Sequence, residues 1–188
     1  LKTPTLEMAI TEVEAEFAYP VVIKMNGGAL GDNVFKCDNR DEAEAAFTEI
    51  FRDSKNYDYV ALAQEYIPAV EEYRLVCAFG EPVLAYKRGN AKGFNVKYWQ
   101  QGEQAQLITD EAKIAELHTF IRPIYQELDI GYAGFDIISA EDGNYCLIEV
   151  NSSPKTDNIV DSDGERCIID MYKRVIELYQ QRLAVTAA

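Results

Sequence analysis

The stretch GYAGFDIISAEDGNYCLIEVNSSP (131–154) carries one acid in each of two apolar runs, Asp136 and Glu149. Asn151 stands two residues beyond the second. Both runs read as β-strands around an Asp142-Gly143 turn, a strong hairpin signal. A two-residue turn pairs Glu141 with Asn144 and sets Asp136 directly across from Glu149, with Cβ atoms ~5 Å apart. A four-residue EDGN loop makes them diagonal neighbours on the same face, and Asn151 projects from that face as well. Two like charges so placed destabilise a sheet unless something positive lies between them. Two carboxylates and an amide oxygen are hard ligands that suit Mg²⁺ or Mn²⁺, with phosphate oxygens completing the shell. The competing reading is a solvated sheet face with two unrelated acids.

Upstream, VVIKMNGGALGDNVF (21–35) runs strand, lysine, glycine turn, strand. Gly27, Gly28 and Gly31 let backbone N–H groups approach a phosphate, and Lys24 aims an ammonium at the same anion. No long helix follows, so the turn is neither a P-loop nor a Rossmann turn; its layout is that of a hairpin lid. A plain glycine turn beside a surface lysine is the alternative. In ALAQEYIPAVEEYR (61–74) an apolar strand ends in Gln64-Glu65-Tyr66-Ile67 and stops at Pro68. Strand-edge N–H and C=O groups there can read an adenine edge, Tyr66 and Ile67 supply apolar walls, and Glu72 can accept ribose hydroxyls. A crossing loop with solvated acids is the competing reading.

The elements that must position these groups follow from the pattern. Thr11 and Glu14 read as a capping box opening a short helix to Ala18. Strands are expected at 19–25, 34–37, 58–67, 73–79 and 82–88, with Gly80-Glu81 turning the last two. Helical spacing predicts helices over 41–52, 110–129 and 164–183, the last burying Ile168, Met171, Val175, Leu178 and Leu183. Residues 89–105 are polar and aperiodic, the mark of a loop, as is 151–163. Hairpins with separate helices make the fold α+β, with a smaller subdomain over 1–66 and a larger one over 67–188.

Composition bounds the rest. The chain has 188 residues, 48% hydrophobic and 27% charged, an ordinary soluble balance with room for a real core. A formal charge of −14 argues against nucleic acid as a partner. No apolar run approaches the ~20 residues of a membrane span, and no signal peptide opens the chain. Cys37, Cys77, Cys146 and Cys167 sit singly without metal spacing, as buried thiols of a cytoplasmic protein do. The chain opens LKTPT without an initiator Met, as a fragment of something longer would.

The order of these pieces, Lys24 and the glycine turn, QEYI, EEYR, YKR, GFDII and IEVNSSP, resembles the ATP-grasp superfamily over about Pro4 to Ile159. The likeness is strongest to the branch with ribosomal-protein glutamate ligase, glutathione synthetase and D-alanine–D-alanine ligase. It implies two α+β subdomains gripping ATP and a carboxylate phosphorylated to an acylphosphate, which an amine attacks to form a C–N bond. Lys24 would then contact the α/β phosphates under a flap containing Gly27, Gly28, Ala29 and Gly31. The backbone around Gln64, Glu65, Tyr66 and Ile67 would read adenine, and Glu72 would hold the ribose. Asp136, Glu149 and Asn151 would bind one or two Mg²⁺ (or Mn²⁺). Lys87 or Arg88 would approach the γ-phosphate; strand alternation lets only one of them face the site.

Departures qualify that likeness. Ala29 stands where the flap usually has serine and Asn33 where it has glycine. Lys155 follows the proline where relatives favour glycine, which points to different recognition on the amine side; Ser153 and Lys155 are the substrate candidates. Lys97 is the remaining basic candidate in a blurred motif. Relatives begin with a further N-terminal domain of ~100 residues, so small-molecule carboxylate and amine substrates are expected with that domain, or a homo-oligomer, as partner. Two rival functions stay open: an ATP-binding module without ligation, and an acylphosphate-forming enzyme that uses a thiol nucleophile. His118 reads as a packing or surface residue, Tyr172 and Tyr179 as core or interface residues, and Tyr98 and Trp99 as loop aromatics able to cover a substrate.

Overall fold

The computed structural model describes residues 5–26, 31–52, 60–89, 94–95, 103–156, 159 and 165–186. Gly27, Gly28 and Ala29 of the glycine turn, and Lys97, Tyr98 and Trp99, lie outside the described residues. No described helix is long and apolar enough to cross a membrane.

The described residues form two compact units. The first runs through Ile67 and also holds Phe94 and Asn95; the second takes the remainder from Pro68. In the first, helix α1 (Leu6–Glu16), strands β1 (Val21–Met25) and β2 (Val34–Cys37), helix α2 (Arg40–Arg52) and strand β3 (Ala61–Glu65) follow in order. The strands make an antiparallel sheet in the order β2-β1-β3. Its pleat sends Val21, Ile23 and Met25 to one face, against Ile10 and Val13 of α1 and Ala43, Phe47 and Ile50 of α2.

Helix α1 starts earlier than the Thr11 box predicts. Thr5 is its N-cap, accepting from the Met8 N–H at 3.2 Å, because a helix from Leu6 is needed to place Ile10 in the core. Thr11 is therefore mid-helix and donates to the Glu7 carbonyl, while Glu14 pairs with Arg40 at 2.5 Å.

The second unit contains β4 (Ala69–Ala78), β5 (Glu81–Lys87), β6 (Gln106–Leu107), α3 (Glu111–Glu127), β7 (Tyr132–Ala140), β8 (Tyr145–Asn151) and α4 (Glu165–Thr186). Its sheet is antiparallel, ordered β6-β5-β4-β7-β8. One face packs Leu75, Cys77, Phe135 and Ile137 against Leu117 and Ile121 of α3. The other packs Val76, Ala78 and Leu84 against Met171, Val175 and Leu178 of α4. The β4–β5 turn is Phe79-Gly80, not Gly80-Glu81: Ala78 pairs with Glu81, and both turn residues take positive φ, the two-residue geometry that suits strand twist. His118 donates from Nε2 to the Gly80 carbonyl at 2.6 Å and holds that turn to α3.

Cys37, Cys77, Cys146 and Cys167 are thiols, none of them in a disulfide. Burial pushes the Cys37 thiol up to about 11 and the Cys77 thiol up to about 12. At about pH 8 both stay protonated and enclosed, and the thiolate is the reactive form. Native protein treated with a thiol reagent is expected to label the half-buried Cys146 and Cys167 well before Cys37 and Cys77. Peptide mapping that found Cys37 or Cys77 modified at a similar rate would contradict this packing.

Candidate active site

The hairpin that carries the acids is built differently from the two-residue turn. Ala140 bonds to Asn144 and to Gly143, whose φ is +82°, so Glu141, Asp142 and Gly143 form a three-residue turn. Asp142 braces it, accepting from the Asn144 N–H at 2.9 Å. That turn alone would set Ile148 opposite Asp136. A register shift between Asp136 and Ile137 takes up one extra residue of β8, and Asp136 then faces Glu149, as Gly134 faces Asn151.

Register across the sheet places Tyr86, Arg74, Asp136 and Glu149 in one row of side chains spanning β5, β4, β7 and β8. Leu84, Val76, Gly134 and Asn151 form the next row on the same face. The positive group beside Asp136 is Arg74. Its Nε and Nη2 donate to the two Asp136 oxygens, each at 2.6 Å, and its Nη1 donates to the Lys155 carbonyl at 3.0 Å. Arg74 is 8% exposed and Asp136 6%. Burial alone would lower the Arg74 pKa; the hydrogen bonds and charge of Asp136 outweigh it and hold the guanidinium above its ordinary value. The sequence reading did not single out Arg74, although an arginine inside YRLVCAF breaks an apolar strand just as Asp136 does.

Arg88 continues past β5, its N–H bonded to the Glu72 carbonyl at 2.8 Å. Its Nη2 donates to Asp136 Oδ2 at 3.2 Å, and its Nη1 lies 3.8 Å from the Glu72 carboxylate. Lys87 points to the opposite face, where it and the Tyr73 hydroxyl donate to Glu71. These bonds hold the Glu71 carboxyl below its ordinary range. Arg88, not Lys87, thus shares a face with the acid row. After β8, Ser152 and Ser153 are exposed, Pro154 is buried over Gly134, and the Lys155 side chain is exposed.

In the first unit, Lys24 opposes Val34 and Leu62, and Gln64 opposes Val22, so both lie on the sheet face away from α1 and α2. Gly31 and Asn33 take positive φ, and Asn33 returns its carbonyl to the Met25 N–H at 3.0 Å. Asn95 donates from Nδ2 to the Gly31 carbonyl at 2.6 Å. Tyr66 gives its N–H to the Pro20 carbonyl at 3.3 Å. Alternation therefore turns the N–H and C=O of Glu65 to the open side of edge strand β3. Tyr66 stacks edge-on with Phe94 at 5.9 Å, and the Lys36 ammonium lies 4.9 Å over its ring.

Glu149 and Asn151 have the donor chemistry of a Mg²⁺ site, and Glu149 makes no ion pair among the described residues. No three His, Cys, Asp or Glu side chains converge as a ready cage among the described residues. Three of the four main lone-pair positions of Asp136 accept from Arg74 and Arg88. An apolar hollow beside β5 and β6, lined by Val83, Leu84, Leu107, Ile108 and Met171, includes no member of the charged row.

Two antiparallel α+β units, one with a lysine and glycine turn and one with an acid–arginine row, are the make-up of an ATP-grasp fold. The chain belongs to the family described as RimK-like ATP-grasp domain, which matches residues 3–178. It is 27% identical over 158 residues to D-alanine–D-alanine ligase of Geobacillus thermodenitrificans, covering 79% of this chain and 42% of that one. Among solved structures it resembles biotin carboxylase of Campylobacter jejuni in a β-γ-ATP complex. That match has a TM-score of 0.66 and 18% identity, covering 94% of this chain and 40% of that chain. D-alanine–D-alanine ligase of Bacillus anthracis complexed with ATP gives a TM-score of 0.57 at 18% identity, covering 90% of this chain and 55% of that chain. At such identity the likeness establishes the fold. The chain spans less than half the length of the curated relatives it matches.

Proposed function

We propose that this chain is the nucleotide-binding portion of an ATP-dependent carboxylate–amine ligase acting on amino acids or peptides. The observation that carries the reading is the row Arg74–Asp136–Glu149, with Arg88 and Asn151 on the same face. Phosphoryl transfer needs charge neutralised and oxygens held in line more than it needs a strong base. Arg88 supplies a mobile positive charge for the γ-phosphoryl group, and Lys24 supplies one for the α/β phosphates. The backbone of Glu65 offers an adenine edge its acceptor and donor, and Glu72 accepts from the ribose. Asp136, Glu149 and Asn151 would hold Mg²⁺, which neutralises phosphate charge when bound. Ser153 and Lys155 face the substrates, Lys155 on the amine side.

In the reaction, a substrate carboxylate oxygen attacks the γ-phosphorus and the bond to ADP breaks. The amine nitrogen then attacks the acyl carbon, phosphate leaves with the bonding pair, and the nitrogen loses a proton. Arg88 spreads the charge in both steps and Arg74 holds Asp136 in place. Four cysteines outside any disulfide suit a reducing, cytoplasmic setting, and the net charge of −14 suits small-molecule partners and not nucleic acid.

Thermal unfolding with ATP tests the reading, because a ligand that binds the native state raises its stability. ATP with Mg²⁺ is expected to shift the wild type upward, and Glu149→Ala is expected to remove the Mg²⁺-dependent part of that shift. No Mg²⁺-dependent shift in the wild type would overturn it. Phosphate release with a panel of amino acids and peptides separates a ligase from a module that binds ATP without ligation.

A further inference from the structure

The two arginines on Asp136 are held very differently. Arg74 lies in the middle of β4, buried, with three hydrogen bonds and both carboxylate oxygens in its fork. Arg88 lies at the end of β5, half-buried, with one bond of 3.2 Å to Oδ2 and Glu72 at 3.8 Å. Its backbone is fixed by the bond to Glu72, so only the side chain is free to turn. A bidentate buried fork is hard to displace, whereas a single longer contact at a strand end is not.

We infer that Arg88 occupies the place of the divalent cation on Asp136, and that a nucleotide's phosphates draw it away. This rests on the nucleotide–metal reading above. Without nucleotide, a dication approaching Glu149 and Asn151 meets Asp136 already shared by two guanidinium groups. It must displace Arg88 and then sit beside two positive charges. A bound triphosphate reverses the balance: Arg88 gains an anionic partner, Oδ2 is released, and the cation gains phosphate oxygens. Arg74 stays in place throughout and keeps Asp136 aimed. Metal and nucleotide then bind with positive coupling, set by one side chain's exchange between Asp136 and phosphate.

The test is Mn²⁺ titration followed by the electron paramagnetic resonance signal of free Mn²⁺, with and without a non-hydrolysable ATP analogue. In the wild type Mn²⁺ is expected to bind weakly alone and much more tightly with the analogue. Arg88→Gln removes one repelling charge and one competitor, and is expected to tighten Mn²⁺ alone by about tenfold. In that variant the gain from the analogue shrinks, while Arg88→Lys, which keeps the charge, behaves closer to the wild type. Equal Mn²⁺ affinity of the wild type and Arg88→Gln without nucleotide, with nucleotide-dependent binding intact, overturns the exchange and leaves the site standing. No Mn²⁺ binding to the wild type even with the analogue overturns both.

Discussion

Arg74→Met is expected to destabilise the second unit by about 3–5 kcal/mol, the usual result of removing one partner of a buried ion pair. Asp136 would keep its burial, lose two bonds of 2.6 Å and retain only the existing Arg88 contact at 3.2 Å. The Lys155 carbonyl loses its 3.0 Å donor as well. Most of this cost is a stranded carboxylate and not the worth of the pair, so the double substitution Arg74→Met with Asp136→Leu should recover much of the stability. Urea unfolding followed by circular dichroism of the wild type, both single variants and the double completes the cycle. A single variant Arg74→Met within 1 kcal/mol (roughly the value of an exposed pair) would show that the fork does not carry the row.

The same pair explains how far the site could be read in the sequence. That Asp136 and Glu149 share a face was legible, because two acids in apolar strands around Asp-Gly leave few registers. The route was not: a three-residue turn moves the pairing by one, and the register shift beside Asp136 moves it back. Neither is fixed by local composition, since the bulge depends on how β8 lies along β7. A positive group was expected between the two acids; the structure sets Arg74 of β4 on the other side of Asp136, away from Glu149. That partner lies 62 positions upstream, a distance only strand order bridges. Lys87 and Arg88 could not be separated until the pairing of β5 gave each a face. The start of α1 was misplaced because Thr5 and Thr11 both suit a cap, and the choice fell to packing of Ile10. The α+β alternation, by contrast, was plain from periodicity, and the ATP-grasp family then followed from the order of motifs.

Gly134→Ala is expected to lower stability by about 1–3 kcal/mol, although glycine inside a strand is normally a weakness. An added Cβ would lie 2.6 Å from Pro154 Cβ and 3.3 Å from its Cγ, and 3.8 Å from Arg74 Cδ. The first distance is far inside contact, and the atom met belongs to a ring held close to its own backbone. Either the β7 strand bends away or the turn carrying Ser153, Pro154 and Lys155 lifts from the sheet. Lifting the turn also draws the Lys155 carbonyl from Arg74, so the loss is felt at the charged row and not only at the contact. Replacing Pro154 with glycine in the same chain removes the obstructing carbons. The pair Gly134→Ala with Pro154→Gly should therefore be more stable than the sum of the single changes predicts. Asp136 and Glu149 keep their strand positions, so the Mg²⁺-dependent thermal shift with ATP should persist in Gly134→Ala, at a lower starting temperature. A neutral or stabilising Gly134→Ala would mean that the turn is free to move off the sheet, and that Arg74 is not its anchor.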